Sequence, residues 1–222
     1  GQHYATSKRF DDEVALDELF YEAKKYFANI LWPYAKLMGK ALPKIGALDI
    51  KMIAPSHGVI WRSHSAEIID CYTKWGSGVK DGSLIIAYDS MWGGTEQMAR
   101  AIARGAAHAG VTVKVYKMSE TPNSTVAAEF FTASGILFGS PTLNGGMLPT
   151  MGALLVYLKG LAPVGKKAAA FGAYGWAGGA QKDMEEMISK CMELLPGYTC
   201  KWKPQALEMD AAEKFGYDFA MA

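Results

Sequence analysis

Residues 83–99 read Ser-Leu-Ile-Ile-Ala-Tyr-Asp-Ser-Met-Trp-Gly-Gly-Thr-Glu-Gln-Met-Ala. Leu84, Ile85, Ile86, Ala87 and Tyr88 form a short, nearly continuous apolar run, which suits a strand buried on both faces of a parallel sheet. Asp89 to Gly94 is small and polar, and from Thr95 the apolar residues Met98, Ala99, Ile102, Ala103 and Ala106 recur at helical spacing. The stretch is therefore strand, tight loop, helix. Such a loop aims backbone N–H groups and the positive end of a helix dipole at one point, where a phosphate is attracted. Ser90 and Thr95 add hydroxyls. The loop lacks the lysine of a G-x-x-x-x-G-K-[ST] triphosphate loop, and its glycines do not fit G-x-G-x-x-G, which leaves a neutral cradle for a terminal phosphate monoester.

The same rhythm continues to the end of the chain. Strands are predicted at Val111–Tyr116, Gly135–Gly139, Lys167–Tyr174 and Tyr198–Trp202. Helices run through Val126–Phe131, Met151–Leu158, Met184–Met192 and from about Asp210 onward. Alternating strands and helices predict an open parallel sheet covered on both faces. Every strand of such a sheet ends on one edge, and ligands bind there where the strand order reverses. Three loops of unusual composition fall on that edge: Asp89–Gly94, Ser140–Pro149 and Gly175–Gly179. The second brings Leu143, Asn144 and the amides near Gly145, and the third brings the broad face of Trp176. A phosphate site at one end and flat surfaces at the other describe a phosphorylated planar heterocycle.

Upstream, an amphipathic pattern from Val14 to Met38 is interrupted by Pro33, which predicts a kinked or divided helix. Asp49–Ala54 is a strand candidate, Pro55-Ser56-His57-Gly58 a turn, and Ser65–Trp75 a helix. Gly76-Ser77-Gly78 marks a domain boundary, giving units of residues 1–80 and 81–222.

Composition narrows the function. In 222 residues, 23 Lys and Arg against 22 Asp and Glu leave a net charge of +1, without the basic clusters that neutralise nucleic acid. No apolar run reaches the ~20 residues of a membrane span, and no signal peptide opens the chain, which predicts a soluble protein with neither membrane nor nucleic-acid partners. Cys71, Cys191 and Cys200 are odd in number and widely spaced, which fits a reducing cytoplasm rather than a disulfide framework.

Tyr88-Asp89-Ser90-Met91-Trp92-Gly93-Gly94-Thr95-Glu96, Gly139-Ser140-Pro141-Thr142 and Phe171-Gly172-Ala173-Tyr174-Gly175-Trp176 together resemble a flavodoxin-like FMN domain, and more narrowly that of the flavodiiron proteins. The resemblance covers nearly all of 83–222 and implies a doubly wound five-stranded sheet of order 2-1-3-4-5. It implies that Ser90, Met91, Trp92, Gly93, Gly94 and Thr95 hold the FMN phosphate. Pro141, Thr142, Leu143, Asn144 and Gly145, with Tyr174, Gly175, Trp176, Ala177 and Gly178, would then hold the ring.

Gly1-Gln2-His3-Tyr4-Ala5 is similar to a family segment that follows a metal-binding aspartate, and Ala54–Arg62 to the segment carrying the last iron-binding histidine. Residues 1–80 would then be the C-terminal remnant of a metallo-β-lactamase-like αββα domain, with His57 as its one retained metal ligand. The family's H-x-E-x-D-H cluster is absent from this sequence, and His3, His64 and His108 match no ligand position. Most diiron ligands are thus expected outside this chain, in a longer polypeptide or in a separate one; the first residue is Gly rather than Met.

The resemblance implies an oxidoreductase in which electrons pass from rubredoxin or F420H2 through FMN to a diiron site that reduces O2 to water or NO to N2O. It also implies a head-to-tail homodimer or larger homo-oligomer. A stand-alone flavodoxin-like carrier is the rival, and a flavin-dependent quinone reductase another. Free carriers tend to be acidic, which a charge of +1 does not match, and the first ~80 residues would go unexplained.

Overall fold

A computed structural model describes residues 1–46 and 48–222. It divides into two units, Gly1–Val79 and Lys80–Ala222.

In the first unit, helix α1 (Leu16–Tyr26) gives way to a π-helical turn (Phe27–Leu31) and a 3-10 turn (Trp32–Tyr34). Helix α2 (Ala35–Gly46) follows. Pro33 lies in the 3-10 turn, so the long pattern is divided at the residue that cannot donate to the preceding turn. Helix α3 (Ser65–Gly76) completes the unit. Leu19, Ala23, Val59, Trp61 and Ile68 form its core, with Phe20 and Trp61 5.3 Å apart between ring centroids.

The segment leading into α3 is held from afar. The buried Asp11 carboxylate accepts from the backbone N–H groups of Arg62 (2.9 Å), Ser63 (3.2 Å) and His64 (2.7 Å) and contacts His64 Nδ1 at 3.0 Å. Burial works to raise its pKa, but these bonds together hold it below the usual carboxylate range. The strand expected at Asp49–Ala54 is reduced to one antiparallel bridge, Ile53 to Trp61, and Lys51 and Met52 on its approach are exposed.

The second unit is built on a parallel sheet. Its strands are β1 (Leu84–Tyr88), β2 (Val113–Lys117), β3 (Gly135–Gly139), β4 (Lys167–Tyr174), β5 (Glu193–Leu194) and β6 (Tyr198–Lys201). The order is β2-β1-β3-β4, with β5 and β6 both pairing the outer edge of β4. These last two are one strand position interrupted at Leu195-Pro196-Gly197, since proline cannot donate to the ladder. The sheet is therefore the expected 2-1-3-4-5 arrangement with its fifth strand in two pieces.

Every residue of β1 and β3 is buried, as their unbroken apolar runs require. Leu84, Ile86 and Tyr88 face a core shared with helices α4 (Gly94–His108) and α8 (Ala206–Met221). Helices α5 (Asn123–Thr132), α6 (Pro149–Leu161) and α7 (Ala180–Ile188) complete the unit. A Cβ at Gly105 would stand 1.8 Å from the Glu213 carbonyl oxygen, so glycine lets the α4 and α8 backbones touch. Helix α8 begins four residues earlier than its sequence pattern suggests, at a capping box made by Gln205 and Glu208. Among the described residues, no helix is long and apolar enough to cross a membrane.

Candidate functional site

Strand β1 has β2 on one side and β3 on the other, so strand order reverses at their C-terminal ends. Asp89 lies at that point, 5% exposed. Its carboxylate accepts from the Ser90 N–H (2.9 Å), the Ser119 hydroxyl (3.2 Å) and the Thr150 hydroxyl (2.8 Å). One buried anion thus ties the loops after β1 and β2 to the first turn of α6.

Next, the Ser90 Oγ accepts from the Gly93 N–H at 3.0 Å, closing the loop on itself. Gly93 has φ 80°, a left-handed turn that admits glycine without strain and directs the chain into α4. The amides of Gly94, Thr95 and Glu96 precede any intrahelical acceptor and remain for an incoming anion. Thr95 is 1% exposed, and its Oγ1 accepts from Ala173 N–H of β4 at 3.4 Å, which braces this loop against the sheet.

The second loop is a tight reversal. Leu143 and Gly146 exchange backbone bonds of 2.8 and 3.0 Å, and Asn144 (φ 50°) and Gly145 (φ 79°) occupy the two left-handed positions between them. That is the geometry Asn-Gly favours in a two-residue hairpin, and it leaves the amides of both residues outside the pair. Thr142 donates its N–H to the Ala173 carbonyl (3.2 Å) and accepts from the Ala180 N–H (3.3 Å). The third loop packs against the second without a gap: a Cβ at Gly179 would stand 1.8 Å from the Gly145 carbonyl oxygen.

These loops surround one crevice of about 610 Å³, within the usual range for small-molecule sites. Ser90, Met91, Trp92, Gly94 and Thr95 line it from the first loop, Pro141, Thr142, Leu143, Asn144 and Gly145 from the second, and Tyr174, Gly175, Trp176 and Ala177 from the third. Gly93 stands behind the lining, where it sets the helix entry. Gly178 lines an adjoining depression of about 430 Å³ that shares Thr142, Tyr174 and Trp176. Trp92 and Trp176 are 91% and 88% exposed, two large apolar side chains held in water at the crevice.

Two lining residues, Trp202 and Lys203, lie outside the motifs, and Ala173, inside the Phe171–Trp176 motif, lines the crevice beside them. The Trp202 indole meets Trp176 edge-on, with ring centroids 5.0 Å apart and an interplanar angle of 78°. The sequence pattern runs the fifth strand through Trp202, whereas β6 ends at Lys201 and leaves the indole just beyond it, on the ligand edge. Cys200 lies behind the wall, and burial, with the Glu208 carboxylate adding, pushes its thiol up, away from thiolate chemistry.

His57 belongs to the first unit and is exposed. Its ring lies 5.4 Å from that of His3 and 6.1 Å from that of Tyr26, centroid to centroid. Gln2 fixes the adjoining segment by pairing with Val59 through both amide atoms, at 3.1 and 3.2 Å. Among the described residues, no three His, Cys, Asp or Glu side chains are grouped so as to hold a metal ion.

The model of the flavodoxin family matches residues 86–216. Over 99% of its length the chain is 44% identical to a nitric oxide reductase of Moorella thermoacetica, 56% of which is covered. Among solved structures it superposes on the rubredoxin oxygen:oxidoreductase of Desulfovibrio gigas with TM-score 0.93 at 32% identity. All of this chain and 57% of that one are covered. The flavodiiron protein of Giardia intestinalis gives 0.94 at 33% identity, with 100% and 56% covered. The chain spans about half the length of the curated relatives it matches. It belongs to the flavodiiron protein family and carries that family's flavodoxin-like domain.

Proposed function

We propose that this chain is the flavin-carrying part of a flavodiiron oxidoreductase, with FMN in the 610 Å³ crevice. The observation that carries the reading is the meeting of three loops at the point where strand order reverses. One end of the resulting site is a helix N-terminus without acidic lining, and the other is edged by exposed indoles. The crevice residues fit that cofactor.

The amides of Gly94 to Glu96 and the hydroxyls of Ser90 and Thr95 would receive the phosphate. Leu143 and Trp176 would flank the ring, and the amides of Asn144 and Gly145 would meet its polar edge, where donors favour added negative charge. Bound there, FMN supplies one- and two-electron transfer. The protein's contribution is to orient the ring and exclude water from its faces. Titrating the chain with FMN tests the reading: saturable binding at one site per chain, lost on filling the crevice by Gly94→Phe, is expected. No binding, or binding indifferent to that substitution, would refute it.

Residues 1–80 are read as the C-terminal part of a metallo-β-lactamase-like diiron domain with His57 as a ligand. The described residues of this unit do not by themselves fit a diiron centre, so its other ligands are assigned to protein outside this chain. In the complete enzyme a donor such as rubredoxin or F420H2 would reduce the flavin domain, and O2 or NO would be the substrate. The nitric oxide reductase of Moorella and the rubredoxin oxygen:oxidoreductase of Desulfovibrio support this. A head-to-tail homodimer and a cytoplasmic location belong to the same proposal. Iron and flavin analysis of the complete protein separates this reading from a stand-alone carrier: two irons per flavin are expected, and a carrier would hold none.

A further inference from the structure

The three loops offer the phosphate amides and hydroxyls but no cation, and Lys203 is the one charged residue among the described residues lining the crevice. Its position follows from the backbone. Strand β6 ends at Lys201, and the Trp202 N–H is donated to the Tyr174 carbonyl at 2.6 Å. Trp202 has φ 64°, a left-handed conformation uncommon for so large a side chain, and this turns the chain off the sheet toward the crevice.

The following residue is Lys203, and the next, Pro204, is buried against the start of α4. Its Cδ would stand 3.6 Å from a Cβ at Gly94. Lys203 therefore sits on the phosphate side of the site, one residue from contact with the helix N-terminus. It forms no ion pair among the described residues, and its backbone carbonyl is occupied by Gln205 Nε2 at 3.2 Å. Of the neighbouring charges, Glu96 is paired with Arg100 at 2.7 Å. Glu208 accepts from the Gln205 N–H at 3.0 Å, and Lys201 is directed at the Trp202 ring, 6.0 Å from its centroid.

From this arrangement we infer that Lys203 is a specificity-determining residue: its ammonium pairs with the phosphate and makes the site prefer FMN to riboflavin. The inference rests on the reading of the crevice as an FMN site. An exposed lysine approaching from outside the loop complements the neutral cradle, because a phosphate monoester near neutral pH carries more charge than one helix terminus offsets. The lysine remains partly in water, so the pairing is screened by salt in a way that the buried loop amides are not.

The test uses the full chain and two probes, FMN and riboflavin, titrated by flavin fluorescence. Lys203→Gln should weaken FMN about tenfold and leave riboflavin within about twofold, while Lys203→Arg keeps most of the preference. In the wild-type chain, raising salt from about 0.05 to about 0.5 M should weaken FMN and not riboflavin, and Lys203→Gln should flatten that dependence. Equal losses for both probes would place Lys203 at the ring and overturn the inference, as would an unchanged FMN affinity. Failure of the wild-type chain to bind either probe would overturn the FMN reading itself and this inference with it.

Discussion

Replacing Trp176 by alanine should separate ligand binding from folding more cleanly than any other change at the crevice. The indole is 88% exposed and meets Trp202 edge-on, so its removal should change stability by no more than about 0.5 kcal/mol. A flavin laid on one face would cover roughly 60 Å² of it, about a third of what a tryptophan can bury. At ~25 cal/mol per Å² that gives about 1.5 kcal/mol. Offset stacking adds roughly 0.5–1.5 kcal/mol, and partial replacement by the neighbouring Trp202 subtracts from the sum. The expected loss is about 1–3 kcal/mol, centred near a 30-fold rise in Kd. Fluorescence titration with FMN, beside thermal melts of the free protein, measures both quantities. Trp176→Phe should recover about half of the affinity. Unchanged FMN affinity with an unchanged melt would show that the ring does not lie on this indole.

Thr95→Ala should cost about 1 kcal/mol or more for FMN and little for riboflavin if, as proposed, the hydroxyl binds the phosphate; equal losses in the two titrations would move the phosphate elsewhere. Gly179→Ala places a methyl group 1.8 Å from the Gly145 carbonyl oxygen, so the second and third loops must separate. The melt should fall by the equivalent of about 1–3 kcal/mol, with a further drop in FMN affinity, and an unaltered melt would contradict the close approach. Asp11 governs an acid response. Its folded pKa lies below the unfolded one, so its contribution is complete above the unfolded value, near ~4, and is lost as pH falls through the folded value. Melts recorded from neutral pH downward should show this loss in the wild type, and Asp11→Asn should be less stable at neutral pH with a flatter acid limb. Parallel acid limbs would remove Asp11 from the cause.

The central strands were legible because burial on both faces leaves an unbroken apolar signature, and Gly135–Gly139 and Lys167–Tyr174 fall where their residues say. The second strand starts two residues later than its apolar run, since Val111 N–H still bonds back to the Ala106 carbonyl at 3.4 Å in the helix's closing turn. Glu193–Leu194 carries no readable period in two residues, and its continuation is displaced by Pro196. The strand expected at Asp49–Ala54 has alternating character but finds a pairing partner at Ile53 alone. At the crevice, the loop motifs announced themselves through glycines, hydroxyls and a tryptophan. Trp202 and Lys203 did not, because their approach depends on a left-handed backbone at a residue type that does not advertise one.

The Asp89 carboxylate, accepting from three different segments, has a kinetic corollary. The loop after β1 is tied to the loop after β2 and to the first turn of α6 without any ligand, so less ordering entropy remains for that loop to lose on capture. Association should then proceed in a single exponential phase whose rate rises linearly with ligand concentration. Asp89→Ala, by freeing those segments to fluctuate separately, should introduce a slower, concentration-independent step.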